Sequence, residues 1–282
     1  MNRRVTNSRL ILNNNEPKVN KIYIPPTRDK SLAIVAFMHN IKELRGLDRL
    51  RYMFRSLRHN TVEPIVLYDS SNDDSFDEVA AICSEFGIIR LYNPIKNGDN
   101  WNKPFGLNCA IDYAIDQFNP SYIMATDIDY IFAPDFISKA KSSMSYKKFI
   151  IQRCHYLTRN QTKNLSNVNF LCDRDFHNLV KNANFGSITA VGACQLAAAA
   201  WFKAVDGYND NFELWSCMDT EMVDRARSTG LNVFWLDSAI LHQHHETIKY
   251  APQANKQRKI NQAIYRNLRK SNGQSRSNPL CE

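Results

Sequence analysis

Asp127 and Asp129 stand two residues apart, directly after the apolar run Tyr122 to Thr126 and before Ala133-Pro134-Asp135-Phe136. Carboxylates at i and i+2 past the end of a buried strand point the same way. Such a DxD pair can hold a divalent cation, which neutralises a phosphate leaving group and acts as a Lewis acid. One aspartate would take the metal and the other would meet a ribose or a metal-bound water. With 28 acidic residues in the chain such triplets also arise by chance, so the position after the strand carries the argument. Farther on, His242, His244 and His245 fall within four residues beyond another strand end. A neutral imidazole steadied by a neighbouring group suits metal ligation. His242 is the favoured ligand and His244 the next. Asp219 opens a helix, where an aspartate is either an N-cap or a reactive carboxylate. Glu221 competes with it for the second role. Trp215 lies in the loop just before Asp219, a place that favours an indole stacking on a sugar face over one filling a core.

The elements that must position these residues are legible as alternating apolar runs and amphipathic stretches. Ser31 to Phe37, Pro64 to Tyr68, Ile88 to Tyr92 and Tyr122 to Thr126 read as short buried strands. Between them, helices are expected at 44–58, 76–86 and 104–118, the last with Leu107, Ile111, Ala114, Ile115 and Phe118 on one face. Strand and helix alternating with short connections imply βαβ units, a parallel sheet and ligands beyond the carboxyl ends of its strands. His39 and Asn40, Asp69, and Asp127 with Asp129 all follow such ends. The second half is less regular. A strand is expected at Phe149 to Arg153, a long Asn-rich loop or lid at 155–185, and a small-residue turn into a short helix at Gly192 to Trp201. Asp219 to Thr229 reads as a helix and Leu231 to Trp235 as the last strand.

Taken in order, these stretches resemble a known family. Phe37-Met38-His39-Asn40, IVLYDSSNDDS, the helix entry Trp101-Asn102-Lys103-Pro104-Phe105-Gly106-Leu107-Asn108, and YIMATDIDYIFAPDF resemble the nucleotide-binding half of inverting GT-A glycosyltransferases of the family 2 type. GACQLAAAAWFKAVDGYNDNFELWSCMDTEMVDRARSTGLNVFWLDSAILHQHH resembles the acceptor half, as in chondroitin-polymerising and galactosyl-transferring enzymes. The resemblance spans roughly residues 32–246. It implies an α/β GT-A domain over 31–248, with a nucleotide-binding half at 31–136 and an acceptor half at 137–248. It further implies that Asp69 hydrogen-bonds the donor base, with His39 lining the same pocket, and that Lys103 sits near the donor phosphates or ribose. Asp127 and Asp129 become the metal pair, Asp129 the closer ligand, and His242 completes the site. Gly192 lies on the donor side, Trp215 on the acceptor side, and Asp219 matches the general base, followed by Glu221 and Arg225. The implied reaction moves a sugar from a nucleoside diphosphate, foremost a UDP-sugar, to the hydroxyl of a saccharide or glycoconjugate. A histidine in the metal shell tilts the cofactor toward Mn²⁺ over Mg²⁺. The family's usual Glu-Asp, Trp-Gly and Gly-Gly pairs read Met218-Asp219, Trp215-Ser216 and Gly192-Ala193 here, departures that touch the acceptor half.

Composition narrows the class. No apolar run approaches the ~18 residues of a membrane span. Seven widely spaced cysteines without a CxxC pair argue against zinc and a disulfide framework, and for a reduced, cytoplasmic setting. No GxGxxG follows the first strand and no Walker A sequence is present, which excludes dinucleotide oxidoreductases and P-loop enzymes. A nucleotidyltransferase would bring a Gly-rich basic loop where this chain has FMHNIKELRG. The net charge of +8 sits in the termini: 1–30 carry +5, 249–282 carry +7, and the body between them −4. Both termini read as polar basic tails, the second helix-capable from Pro252, solvated or holding a polyanion such as nucleic acid. The nucleic-acid reading leaves a hydroxymethylated DNA base as an alternative acceptor. A GT-A domain without turnover, kept as a binding module, is the alternative of another class.

Overall fold

The computed structural model describes residues 29–41, 46–96, 98–186, 191–214, 216–245 and 252–271. Its first half runs β1 (Leu32–Met38), α1 (Gly46–Asn60), β2 (Ile65–Asp69), α2 (Phe76–Glu85), β3 (Ile89–Tyr92), α3 (Lys103–Phe118) and β4 (Tyr122–Asp127). Every residue of β1 and β2 is buried, which is why both read as continuous apolar runs rather than alternating ones. α3 has complete punctuation: the Asn102 side chain accepts from the Phe105 amide, Pro104 occupies the first turn, and Asn119 ends the helix with φ at 44°. α3 packs on β1 and β2. Gly106 allows that approach, since a Cβ there would lie 2.4 Å from the Phe37 ring and 2.7 Å from Tyr68.

The second half adds β5 (Tyr130–Phe132), α4 (Phe136–Ser143), β6 (Lys148–Gln152), β7 (Cys154–Tyr156), α5 (Arg159–Lys163), a 3-10 turn at Leu165–Asn167, α6 (Asp173–Lys181) and β8 (Asn184–Phe185). β9 (Cys194–Ala198), α7 (Ala199–Ala204), α8 (Met218–Ser228), β10 (Asn232–Trp235), β11 (Ile240–His242) and α9 (Pro252–Ser271) complete it. The main sheet has the order β10-β6-β9-β4-β1-β2-β3. β9 runs antiparallel to both its neighbours, and the remaining pairs are parallel. β4, β1 and β2 therefore deliver their carboxyl ends to one edge, together with β6 and β10. A smaller sheet, β5-β11-β7-β8, joins segments more than a hundred residues apart.

Three expectations are corrected. Residues 192–201 were expected as a turn into a helix, but Cys194–Ala198 forms a fully buried strand in the middle of the sheet. Its alanines favour helix locally; hydrogen bonding on both sides to β4 and β6 overrides that preference. Residues 155–185 are not a bare loop. Thr158 and Gln161 form a reciprocal capping box that starts α5, and α6 buries Phe176 and Leu179. In the segment expected as a basic, helix-capable C-terminal tail, the helix α9 is not a free tail but packs on the domain through Ala254, Gln257, Asn261 and Tyr265. The N-terminal tail to residue 28 lies outside the described residues. The arginines of α1 are engaged within the fold. Arg58 donates to the carbonyls of Phe86, Glu63 and Gly87, Arg51 pairs with Glu85, and Arg55 lies over Phe170.

Candidate active site

β4 ends at Asp127, and the chain turns through Ile128 and Asp129 into β5. Register then decides what Asp129 meets. In the antiparallel pair of β5 and β11, His242 lies opposite Tyr130, and the Gln243 amide donates to the Asp129 carbonyl at 2.9 Å. His242 Nε2 comes to 3.2 Å from Asp129 Oδ2, and His245 Nε2 to 2.7 Å from the same oxygen. The two imidazoles stack with centroids 5.2 Å apart. His244, the expected second choice, is exposed, and its amide donates to Thr162 Oγ1. His245, ranked behind His242 and His244 among the three histidines, is thus the second imidazole at Asp129. Gln243, fully buried and donating to the Arg49 carbonyl, fixes the phase of the segment, so that residues 242 and 245 share one side.

One ligand atom from each of Asp129, His242 and His245 lies within 4.8 Å of the others. A metal fits here on a structural criterion. Asp129 Oδ1 is buried with no hydrogen-bond partner among the described residues, a cost that a bound cation would remove. Burial works against charge on Asp129. The charge of His242 and the hydrogen bonds from His242 and His245 overcome it and hold the carboxyl well below its usual range.

Asp127 was expected beside Asp129 in the metal pair, but it is not in this group. Its Oδ1 meets Lys103 Nζ at 2.5 Å, and the same ammonium lies 3.8 Å from Asp219 Oδ1. Lys103 is the first residue of α3 and its side chain is only 12% exposed, so it forms an internal cationic link between the end of β4 and the start of α8. Burial disfavours its charge, but Asp127 and Asp219 outweigh that and raise its pKa. For Asp127, burial pushes the carboxyl up, Lys103 pulls it down, and Asp129 and Asp219 add to the upward push. Three carboxylates around one ammonium leave a surplus of negative charge, the electrostatic condition for attracting a cation.

Asp219 is not an N-cap. α8 begins one residue earlier, Cys217 takes the cap position without a side-chain hydrogen bond, and Asp219 lies in the first turn. The Asp219 carbonyl accepts from Gln195 Nε2 at 2.9 Å, tying the turn to β9. Gly192 lies against the carboxylate: a Cβ there would sit 2.5 Å from Oδ2. The neighbour is the end of a side chain, so Gly192→Ala is expected to fold normally while displacing Asp219. Unchanged thermal stability with at least about a tenfold loss of turnover is the expected pair of readings. Wild-type turnover would show that the contact has no functional weight. Glu221 faces Arg225, which bonds both its carboxylate oxygens and the carbonyls of Val205 and Gly207. That pairing commits Glu221 to fastening α8 to the loop after α7. Trp215 lies outside the described residues.

At the ends of β1 and β2, Phe37, Tyr68, Trp101 and His39 form a chain of ring contacts with centroids 5.8–6.3 Å apart. His39 Nδ1 lies 3.3 Å from the Ser70 carbonyl, and burial lowers the pKa of the ring. Asp69, expected to bind a base, is fully buried. It accepts from Arg90 at 2.8 and 2.5 Å and from the Ser71 amide at 2.9 Å. Arg90 is itself flanked by the Phe76 and Tyr92 rings.

The architecture has counterparts among solved structures. The chain is similar to the mannosyltransferase PcManGT from Pyrobaculum calidifontis, in complex with GDP-Man and Mn²⁺, with TM-score 0.54, 12% identity, and coverage of 91% of this chain and 69% of that one. It is similar to S. aureus TarS, with TM-score 0.51, 12% identity, and coverage of 85% and 43%. It is also similar to GalNAc-T7 with UDP, GalNAc and Mn²⁺, with TM-score 0.52, 11% identity, and coverage of 83% and 48%. The chain thus spans less than half the length of the latter two. The sequence matches no protein-family model and no curated protein. The fold is GT-A: a mostly parallel α/β sheet with flanking helices. No helix among the described residues is long and apolar enough to cross a membrane.

Proposed function

We propose that this chain is a metal-dependent glycosyltransferase that moves a sugar from a nucleoside diphosphate donor, foremost a UDP-sugar, to an acceptor hydroxyl with inversion. The observation that carries the reading is the convergence of Asp129, His242 and His245 at the end of β4, beside the linked Asp127, Lys103 and Asp219. Similar chains that carry a nucleotide or nucleotide sugar together with Mn²⁺ support it.

Asp129, His242 and His245 would hold the metal, and a carboxylate with two imidazoles suits Mn²⁺ better than Mg²⁺. A divalent cation bound there supplies charge neutralisation for the departing diphosphate. Asp127 stays on the donor side of the pair. The rings of His39 and Trp101 offer the base an aromatic wall at the ends of β1 and β2. Lys103 stands where a diphosphate would add charge, and its ammonium can exchange Asp127 for a phosphate oxygen as the donor seats. Asp219 takes the proton from the acceptor hydroxyl. That oxygen attacks the anomeric carbon, the bond to the phosphate oxygen breaks, and its electron pair leaves with the nucleoside diphosphate. Gly192 leaves room for the Asp219 carboxylate. The acceptor we propose is a saccharide or glycoconjugate.

The test is thermal stabilisation by UDP-, GDP- and CDP-sugars, each with and without Mn²⁺. A ligand at ~100 times its dissociation constant adds roughly 2.7 kcal/mol, which is readily measured. Stabilisation by a nucleotide sugar only in the presence of metal is the expected result. Indifference to every nucleotide would overturn the proposal.

A further inference from the structure

The loop before α8 is held in a conformation its residues resist. Leu214, Ser216 and Cys217 have φ of 53°, 100° and 68°. Side chains other than glycine rarely adopt positive φ, and Ser216 lies beyond the small left-handed basin, where glycine alone is at ease. Such a stretch persists only when its surroundings over-determine it. On one side, Asn100 Nδ2 donates to Glu213 Oε2 at 2.9 Å and the Leu214 amide to the Trp101 carbonyl at 3.0 Å. On the other side stands α9. Asn261 is fully buried, and its Nδ2 donates to the Glu213 carbonyl at 2.8 Å and to the Ser216 carbonyl at 3.4 Å. Its Oδ1 accepts from buried Gln257 at 3.0 Å. One turn farther on, buried Tyr265 donates to Asp224 Oδ2 of α8 at 2.5 Å.

Gln257, Asn261 and Tyr265 stand at i, i+4 and i+8 and so form one stripe along the helix. That stripe grips both the strained loop and the helix the loop feeds. Cys217 supplies no side-chain cap to α8, whose first turn is started by the loop backbone itself through the Glu221 amide to the Cys217 carbonyl at 2.8 Å. An opening of the loop therefore reaches Asp219 within two residues. A buried side-chain amide is costly unless its hydrogen bonds are used, and here they are used on carbonyls of the strained segment.

We infer that Asn261 is a positioning residue: α9 is a strap that clamps the chain before α8 at Glu213 and Ser216 and thereby sets the first turn of α8 and Asp219. The catalytic part of this inference rests on Asp219 being the base, as proposed above. The clamp itself does not.

The experiment compares wild type, Asn261→Ala, Ser216→Gly and the double variant. It reads amide hydrogen exchange over 213–219, stabilisation by UDP with Mn²⁺, and hydrolysis of a UDP-sugar. Asn261→Ala should speed exchange in the loop about tenfold or more, because two hydrogen bonds on it are lost. Stabilisation by UDP and Mn²⁺ should stay as in wild type, while hydrolysis falls by about the same factor. Adding Ser216→Gly should restore much of the protection and the rate, since glycine takes this φ without a clash. Ser216→Gly alone leaves the buried amide untouched and should slow exchange below the wild-type rate, which keeps the test decisive should Asn261→Ala misfold. Unchanged exchange in Asn261→Ala, or a glycine that deepens the defect, would overturn the strap. Absence of any UDP and Mn²⁺ effect in wild type would count against the glycosyltransferase reading, and the exchange data would still decide the clamp.

Discussion

Asp129→Ala is expected to abolish metal-dependent donor binding and to lower transfer by about a thousandfold or more, the scale of a Lewis acid worth several kcal/mol. The size follows from geometry. Asp129 is the shared partner of both imidazoles, and its second oxygen is buried with no hydrogen-bond partner among the described residues. Removing it leaves two histidines without the anionic ligand that makes the site selective for a hard cation. Manganese titration followed by electron paramagnetic resonance would read the loss directly. The histidines sharpen the test. His245→Ala should weaken manganese affinity about 10- to 100-fold, whereas His244→Ala should leave it unchanged, because residue 244 is exposed and joined to Thr162 only through its amide. Equal losses in the two variants would remove His245 from the site.

Asp219→Asn is expected to keep donor affinity within about threefold while lowering transfer by about 10²- to 10⁴-fold, the usual contribution of a general base. The amide has nearly the shape of the carboxylate, so the cradle at Gly192 and the bond from Gln195 to the backbone survive. What disappears is the ability to take a proton. One of the carboxylates around Lys103 is also neutralised, which leaves Asp127 as its nearer anionic partner at 2.5 Å. Glu221→Gln is the instructive comparison. Glu221 is bound to Arg225, so its loss should appear in thermal stability more than in the pH profile of transfer. A pH profile of Asp219→Asn that still showed the wild-type acidic limb, at near wild-type rates, would transfer the base role elsewhere.

The first half of the fold was legible because β1, β2 and β4 are buried on both faces. Ser31 to Phe37, Pro64 to Tyr68 and Tyr122 to Thr126 announce themselves as apolar runs, and the observed strands differ only at their ends. From such runs a parallel sheet follows, and with it the rule that His39, Asp69 and Asp127 gather along one edge. β9 was not legible. Cys194–Ala198 carries a helix-favouring alanine run, and only the two neighbouring strands make it extended.

The candidate site divides along the same line. Local sequence determined that carboxylates close β4, that a lysine stands at the entry to α3 and that histidines cluster beyond β10. It also determined that an aspartate lies in the first turn of α8. Tertiary structure decided which of them meet. The pairing of Tyr130 with His242 spans more than a hundred residues, and it selects His245 over His244 as the neighbour of Asp129. Lys103 reaches Asp127 and Asp219 because α3 packs on β1 and β2 beside β4, while Gln195 of β9 ties the first turn of α8 to the same sheet. Asn261, in a segment that reads as basic and helix-capable, gained its place from buried contacts with the carbonyls of Glu213 and Ser216. Residue types and their order are written along the chain, whereas the choice among equivalent histidines and carboxylates depends on register and packing between distant segments, which no local pattern encodes.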